Sequence, residues 1–208
     1  MSPLKIHYPN GQPYHYNKDN YNSQSKEQSS NYSNRGMSLE KEINLTNKQY
    51  LDDNMAVIHK KPTPIQVVKV DYPKREAAKI TEAYYRRSST TDYNGVYKGY
   101  YLDFEAKETK NKTSFPLSNF HEHQINHMKK SVEHGGICFT ILRFVTLDEI
   151  YLLSSEFLFK WWDQQYKEKG RKSIPLSAIK KENFLIEYGF NPRIPYLKIV
   201  DQFIESRK

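Results

Sequence analysis

Residues 101–110 alternate between apolar and polar side chains, and this pattern constrains the fold more than any other stretch of the chain. Alternation with a period of two predicts a β-strand that turns one face toward a core. The apolar face carries Leu102, Phe104 and Ala106, and the polar face carries Asp103, Glu105 and Lys107. Two carboxylates and an ammonium therefore share one face, an arrangement that packing alone seldom produces.

Two turn signals precede this strand, Asn94-Gly95 and Lys98-Gly99. Pairs of this kind favour tight turns between antiparallel strands. A hairpin closed here would put Asp92 on the neighbouring strand or at its edge. Asp92 and Glu105, thirteen residues apart in the sequence, would then lie side by side.

An Asp followed by Glu-x-Lys on a strand suits a magnesium-dependent phosphodiesterase site. Carboxylate oxygens hold a hard cation, and the cation lowers the pKa of a bound water and offsets charge on the phosphate. Lys107 is placed to orient that water or to stabilise the developing charge. Because the spacing also occurs by chance, the alternative is a solvated strand face with a Glu–Lys ion pair.

The charge balance favours an anionic partner. The chain has 208 residues, which predicts one domain, with a net charge of +8 and a pI of about 9.3. Its single cysteine, Cys138, lies in an apolar run and is interpreted as a buried hydrophobe in a reducing compartment. The sequence has neither an apolar segment that could cross a membrane nor a signal peptide at its start. We therefore expect a cytoplasmic, nucleoid-associated protein.

The N-terminal part divides into an arm and a helix. Residues 1–34 hold few aliphatic side chains, so we expect a disordered arm there. A helix should begin after Ser38, a candidate N-cap, with Glu40 in its first turn. The helix dipole alone accounts for an acidic residue at that place. The alternative role for Glu40 is to reach the metal site.

A basic insertion separates this helix from the hairpin. From His59 to Arg87 the chain has eight Lys or Arg against three Asp or Glu. Strands are predicted at 55–59 and 65–70, and a helix at 76–85. A basic element of this kind is a candidate contact for nucleic acid, and the alternative is a solvated hairpin.

The C-terminal half alternates helices and strands. The predicted elements are a helix capped by Ser118 and ended by Gly135-Gly136, a buried strand at 137–142, a strand at 149–153, a helix from Ser154, a short helix with Pro175 at its first position, and a last helix over 194–208. His123 and His127 have an i, i+4 spacing, but Ile125 stands where a His-Glu-x-x-His zinc motif beginning at His121 would need its second histidine, so we do not expect a zinc site there. The order of elements predicts an α/β fold with helices flanking a sheet.

Several longer motifs point to one family. They are NRGMSLE (34–40), HKKPTP (59–64), YPKR (72–75), STTDYNG (89–95), DFEAKET (103–109), SFPL (114–117), HEHQ (121–124) and GRKSIP (170–175). In these motifs and their order, the chain resembles the RecU family, the Holliday junction resolvases of Gram-positive bacteria within the D/E-x-K nuclease superfamily. The resemblance runs from about residue 31 to the C-terminus.

The resemblance implies a fold and a set of partners. The expected fold is α/β and restriction-endonuclease-like, with a central mixed sheet flanked by helices. The nuclease domain would span 35–208, with a protruding basic stalk at about 63–85. The implied protein is a homodimer that cuts four-way junction DNA with Mg2+, or Mn2+ in its place, and acts with the RecA recombinase. A two-fold dimer also matches the symmetry of a junction with two equivalent scissile phosphates.

The resemblance also assigns residues. The implied catalytic set is Asp92, Glu105, Lys107 and Glu40, and the implied metal ligands are Asp92, Glu105, Thr90 and Gln124. Candidate DNA contacts are Lys60, Lys61, Lys69, Lys74, Arg75, Lys79, Tyr85, Arg171 and Lys172. Two alternatives stay open, a related endonuclease for another DNA structure and a non-catalytic junction-binding accessory protein that acts with RecA.

Overall fold

The structure is a computed structural model that describes residues 37–74, 77–85 and 90–207. The helices within these ranges are α1 (Leu39–Asp52), α2 (Glu122–Glu133), α3 (Ser155–Gln164), α4 (Leu176–Glu182) and α5 (Leu197–Glu205). The strands are β1 (Val57–Lys60), β2 (Ile65–Asp71), β3 (Lys79–Tyr85), β4 (Tyr93–Tyr97), β5 (Tyr100–Thr109), β6 (Ser114–Pro116), β7 (Ile137–Phe144), β8 (Glu149–Ser154), β9 (Ser173–Pro175) and β10 (Phe184–Ile186).

The central sheet has six strands in the order β1-β4-β5-β7-β8-β10. Strands β5 and β7 run parallel, and the remaining neighbours in this sheet run antiparallel. Every residue of β7 is buried, as expected for a strand covered on both faces. The predicted α/β fold with a mixed central sheet flanked by helices is confirmed.

Two apolar cores cover the two faces of this sheet. Helices α1 and α5 contribute to one core and α2 and α3 to the other. On the first face, the ring of Phe104 stacks between Tyr93 at 4.8 Å and Phe139 at 4.6 Å. Aromatic stacks of this kind add to the energy of simple burial. The stack therefore ties together β4, β5 and β7, the strands that carry the polar face of interest.

The hairpin between β4 and β5 turns at Lys98-Gly99, so the prediction of a turn at Asn94-Gly95 is wrong. Lys98 and Gly99 have φ of 49° and 82°, as a two-residue turn of type I′ requires. Asn94 and Gly95 instead lie inside β4. A Cβ at Gly95 would lie 2.1 Å from the carbonyl oxygen of Val57 in β1, so Gly95 permits the close approach of β1.

The predicted helix over 76–85 is also wrong, because Lys79–Tyr85 forms β3. This strand pairs antiparallel with β2 in a two-stranded sheet of its own. We call β2 and β3 the ribbon. The segment is rich in β-branched and aromatic residues, which favour strands. A short helix is stable in a protein mainly when one of its faces packs on a core. Nearly all side chains of the ribbon are exposed, so this segment lacks the packing that would stabilise a helix.

Other boundaries differ by a few residues. Ser118 lies in a 3-10 turn, and α2 begins later with His121 as its N-cap. Pro175 precedes the first residue of α4 instead of occupying it. Strand β10 was not predicted, and α5 ends at Glu205. Residues 1–34, with the predicted arm, lie outside the described residues.

The predicted cap of α1, the predicted start of α3 at Ser154 and the predicted burial of Cys138 are confirmed. Ser38 caps α1 by accepting a hydrogen bond from the N–H of Lys41, and Ser154 caps α3 through the N–H of Phe157. Cys138 is buried, and burial raises the pKa of its thiol to about 12. No helix in the described part of the chain is long and apolar enough to span a membrane.

Gly95→Ala is expected to destabilise the fold by about 3 kcal/mol or more, at the upper end of what overpacking costs. The new methyl group would meet the backbone of β1, which cannot move without opening the sheet. Gly99→Ala is the matched control, because a Cβ there meets open space and only the positive φ is strained, by about 1–2 kcal/mol. Urea unfolding of both variants measures the difference, and equal losses would contradict the close-approach argument.

Candidate active site

Asp92 and Glu105 meet at the start of the β4–β5 hairpin. Asp92 lies directly before β4, and Glu105 lies in the middle of β5. The backbone N–H of Asp92 donates to Oε2 of Glu105 at 3.1 Å, and the N–H of Ala106 donates to Oδ2 of Asp92 at 3.3 Å. These two bonds hold the carboxylates next to each other, as the sequence predicted.

The second oxygen of Glu105 receives two donors. Lys107 Nζ lies 2.7 Å from Oε1, and Nε2 of Gln124 donates to the same oxygen at 2.7 Å. The oxygen of the Gln124 amide in turn accepts from the N–H of His121 at 3.1 Å. The first turn of α2 therefore orients Glu105. The structure brings Lys107 and Gln124 to the carboxylate pair.

Glu105 is fully buried, and its surroundings disfavour its charged form. Burial and the nearby charge of Asp92 raise the pKa of its carboxyl and Lys107 opposes them, so that the resulting pKa is about 7. The pair thus concentrates more negative charge than its one adjacent ammonium balances. A site of this kind attracts a cation.

The donor set fits Mg2+ or Mn2+. Two carboxylates supply hard oxygen ligands, and Mg2+ commonly binds through one or two carboxylates while it keeps several waters. Across the part of the chain that the structure describes, no group of three or more His, Cys, Asp or Glu could hold a metal ion. A cation here would therefore take its further ligands from water, backbone or amide oxygens.

Glu40 and Thr90 are the two other residues that the resemblance assigns to the site. The Glu40 carboxylate forms an ion pair with Lys60 and is about half exposed. Its backbone carbonyl accepts a hydrogen bond from the Tyr93 hydroxyl at 3.3 Å, which sets α1 against β4. The Thr90 hydroxyl lies 3.5 Å from the carbonyl of Thr91. The catalytic role of Glu40 and the ligand role of Thr90 stay predictions.

The candidate DNA contacts fall into two groups. Lys69, Lys74, Lys79 and Tyr85 in and around the ribbon are exposed, as are Arg171 and Lys172 in the basic turn, whereas Arg75 lies outside the described residues. Lys60 is held by Glu40, and Lys61 is held inside the protein by Asp103 and Thr91. In this structure the Lys61 ammonium is therefore paired within the protein, and its contact with DNA stays a prediction.

Sequence reasoning missed the role of Asp103. Its carboxylate is fully buried and receives Lys61, Thr91, Tyr101 and His127. The alternating pattern placed Asp103 on the same face as Glu105, but it carried no information about which side chains would converge there. Lys61 comes from a distant part of the chain, and no local signal predicts this contact.

The mixed sheet brings Asp92 against a Glu-x-Lys strand, which gathers groups of the kind that metal-assisted phosphodiester hydrolysis uses. The family model described as "RecU: Recombination protein U" matches residues 34–202. The proteins named Holliday junction resolvase RecU from Limosilactobacillus reuteri and Geobacillus kaustophilus are 59% and 55% identical to this chain. Each match covers 98% of this chain and 100% of the relative. The chain therefore belongs to the RecU family.

Two further matches cover a smaller part of this chain. Holliday junction resolvase RecU from Pediococcus pentosaceus is 63% identical over 84% of this chain and 87% of its own length. A solved structure of Hjc, a Holliday junction resolvase from Archaeoglobus fulgidus, is 11% identical. It covers 45% of this chain and 68% of its own, with a TM-score of 0.31. That structural likeness is too small to support an argument.

Glu105→Gln should stabilise the metal-free protein at pH 8 but not at pH 4. Between the ordinary pKa of 4.5 and the folded value of about 7, the folded state binds more protons at Glu105 than the unfolded state does. Stability from this group therefore falls as the pH rises through that window and stays low above it. Glutamine removes the penalty, and each kcal/mol shifts the melting temperature by about 2–4 °C in a chain of this size.

Thermal unfolding in a chelator at both pH values measures this effect. Glu149→Gln is the matched control, because the pKa of Glu149 is lowered by its hydrogen bond from Tyr151. That variant should lose stability at pH 8. If Glu105→Gln is no more stable than wild type at pH 8, the buried charge is not under strain.

Proposed function

We propose that this chain is a Holliday junction resolvase, a metal-dependent endonuclease that hydrolyses phosphodiester bonds of DNA at four-way junctions. The contact between Asp92 and Glu105 beside Lys107 carries the proposal, because it gathers the groups that phosphodiester hydrolysis needs. Membership of a family whose members bear the name Holliday junction resolvase RecU supplies the substrate. Mg2+ is the proposed cation, and Mn2+ is expected to replace it.

Each residue of the site has a distinct role. When bound, the divalent cation supplies positive charge against the phosphate and lowers the pKa of a water. Asp92 and Glu105 hold the cation. Lys107, whose side chain is one-fifth exposed, contributes positive charge where the phosphate approaches. Gln124 keeps Glu105 in place through the hydrogen bond to Oε1.

The ribbon is the proposed contact with the junction. Its lysines are exposed, and the ribbon lies between β1 and Asp92 in the chain. In a homodimer, two ribbons could meet at the open centre of the junction, where Tyr85 can stack on bases and lysines can contact phosphates. We also propose a homodimer, because two sites related by a two-fold axis match two scissile strands.

The family resemblance extends the proposal to a partner and a location. RecA is the proposed protein partner. Junctions form on chromosomal DNA during recombination and repair, so the proposed place of action is the nucleoid in the cytoplasm. Pull-down of purified RecA by the tagged chain, with and without junction DNA, tests the first of these.

The competing functions can be compared by the role that each gives to the carboxylates of Asp92 and Glu105. A non-catalytic accessory protein would gain nothing from a buried Glu105 held beside Asp92, because the repulsion between them costs stability. An endonuclease for another DNA structure would use the same site. Cutting of four-way junctions, flaps, gapped DNA and plain duplex, with and without Mg2+, separates the three functions.

Asp92→Asn and Glu105→Ala should abolish cleavage and leave junction binding intact or tighter, because each removes a metal ligand and a negative charge. Lys107→Ala should slow cleavage about 100-fold or more. The matched control is Asp201→Asn, since Asp201 pairs with Lys98 at the turn end of the hairpin. Cleavage is followed on a labelled synthetic junction in Mg2+. Retained cleavage in the Asp92 or Glu105 variant would refute the site.

Replacing Lys69, Lys74 and Lys79 together by Ala should weaken junction binding far more than duplex binding. Each lost phosphate contact lowers the slope of log K against log salt by about 0.9, so the salt dependence of junction binding should flatten. The control replaces three exposed lysines away from the ribbon, Lys160, Lys180 and Lys198. Titration of both DNA forms at several salt concentrations measures the effect. Equal losses for junction and duplex would make the ribbon a general basic patch.

A further inference from the structure

Asp103 is a buried carboxylate that the proposed chemistry does not use. Lys61 Nζ lies 3.0 Å, the Tyr101 hydroxyl 2.6 Å and His127 Nε2 2.9 Å from its Oδ2. The Thr91 hydroxyl donates to its Oδ1. These partners come from the segment after β1, the start of the hairpin, β5 itself and α2. A fully buried charge with so many partners organises the parts that reach it.

Two of these partners stand at the two ends of the ribbon. Lys61 lies between β1 and the first strand of the ribbon, and Thr91 lies between the second strand of the ribbon and β4. The Lys61 ammonium also donates to the Thr91 hydroxyl at 2.9 Å. The backbone N–H of Lys61 donates to the carbonyl of Asp92 at 2.8 Å. The segments that precede and follow the ribbon are therefore bonded to each other and to β5 at Asp103.

The same contacts bear on the distance between the two proposed metal ligands. Thr91 is the residue before Asp92, and Asp103 lies two residues before Glu105 on the same face of β5. A hydrogen bond between Thr91 and Asp103 thus fixes the segment that carries one ligand against the strand that carries the other. Asp92 itself lies outside the regular part of β4, so the strand ladder alone does not hold it.

We propose that Asp103 is a positioning residue, which clamps both ends of the ribbon to β5 and thereby holds Asp92 at the distance from Glu105 that a divalent cation requires. This inference rests on the proposed function. Asp103 touches neither the cation nor the DNA in this role. It connects the element proposed to bind the junction to the pair proposed to cut it.

Stability alone explains Asp103 poorly. A buried ion pair replaced by apolar residues of similar volume is often neutral or stabilising. A clamp needs the directed bonds that a carboxylate makes with Thr91 and Lys61, and an apolar residue cannot supply them. Residues that orient metal ligands from the next layer typically change metal affinity 10–100-fold when they are replaced.

Calorimetric titration with Mn2+ in the absence of DNA, on the full chain, tests the proposal. Thr91→Val keeps the shape of the side chain but removes the bond to Asp103, and we expect about 10–100-fold weaker Mn2+ binding. Thr91→Ser retains the hydroxyl and should bind Mn2+ like wild type. The matched control is Thr46→Val, a buried threonine on α1 whose hydroxyl accepts from the N–H of Ile194. It should lower the melting temperature without changing Mn2+ affinity.

Lys61→Met gives a second and sharper variant. Removal of a positive charge by itself strengthens the binding of a cation. Weaker Mn2+ binding by Lys61→Met would therefore reflect lost positioning and would support the proposal even if Thr91→Val fails to fold.

The outcomes are distinct. Unchanged Mn2+ affinity in Thr91→Val or Lys61→Met overturns the clamp. The clamp is also overturned if Thr46→Val has the same melting temperature as Thr91→Val and loses as much Mn2+ affinity. The hydrogen bonds around Asp103 would then only stabilise the fold. A wild-type chain that neither binds Mn2+ nor cuts junctions overturns the proposed function itself, and the clamp with it.

Discussion

The structure depends on one electrostatic constraint, the placement of two carboxylates side by side with a single adjacent ammonium. Asp92 and Glu105 repel each other, and the burial of Glu105 makes the repulsion costly. Other interactions must therefore hold the two carboxylates next to each other. The Tyr93–Phe104–Phe139 stack supplies apolar packing on one face, and the hydrogen bonds from Asp92, Lys107 and Gln124 fix Glu105 on the other. The fold thus stabilises a charge arrangement that alone would separate.

Local patterns predicted the parts of this arrangement that depend on neighbouring residues. Alternation identified β5 and its polar face, the apolar run identified β7, and capping serines identified the starts of α1 and α3. These signals act within a few residues, so the sequence alone carries them. The resemblance to a family then assigned Asp92, Glu105 and Lys107, which the structure brings together.

Contacts between distant segments could not be predicted in this way. Asn94-Gly95 has the composition of a turn, but β1 passes so close to Gly95 that the glycine is needed inside a strand. Lys79–Tyr85 was predicted to be a helix, but it pairs with β2 and forms a strand. Lys61 sits in a basic motif and was predicted to contact DNA, yet Asp103, far along the chain, binds its ammonium. In each case a partner from elsewhere decides the conformation or role.

Asp103 and Glu105 illustrate this dependence most directly, because they share a strand, a face, full burial and nearly the same chemistry. Asp103 is surrounded by Lys61, Thr91, Tyr101 and His127, whose groups occupy both of its oxygens. Glu105 faces another carboxylate, so its charge is only partly balanced. Glu105 also has donors at both of its oxygens, so the difference lies in the balance of charge. A carboxylate whose charge is balanced by its partners holds protein segments in place, whereas one that is incompletely balanced attracts a cation. The partners that the fold brings to each carboxylate, and not the residue type, thus separate the proposed positioning role from the proposed metal binding on β5.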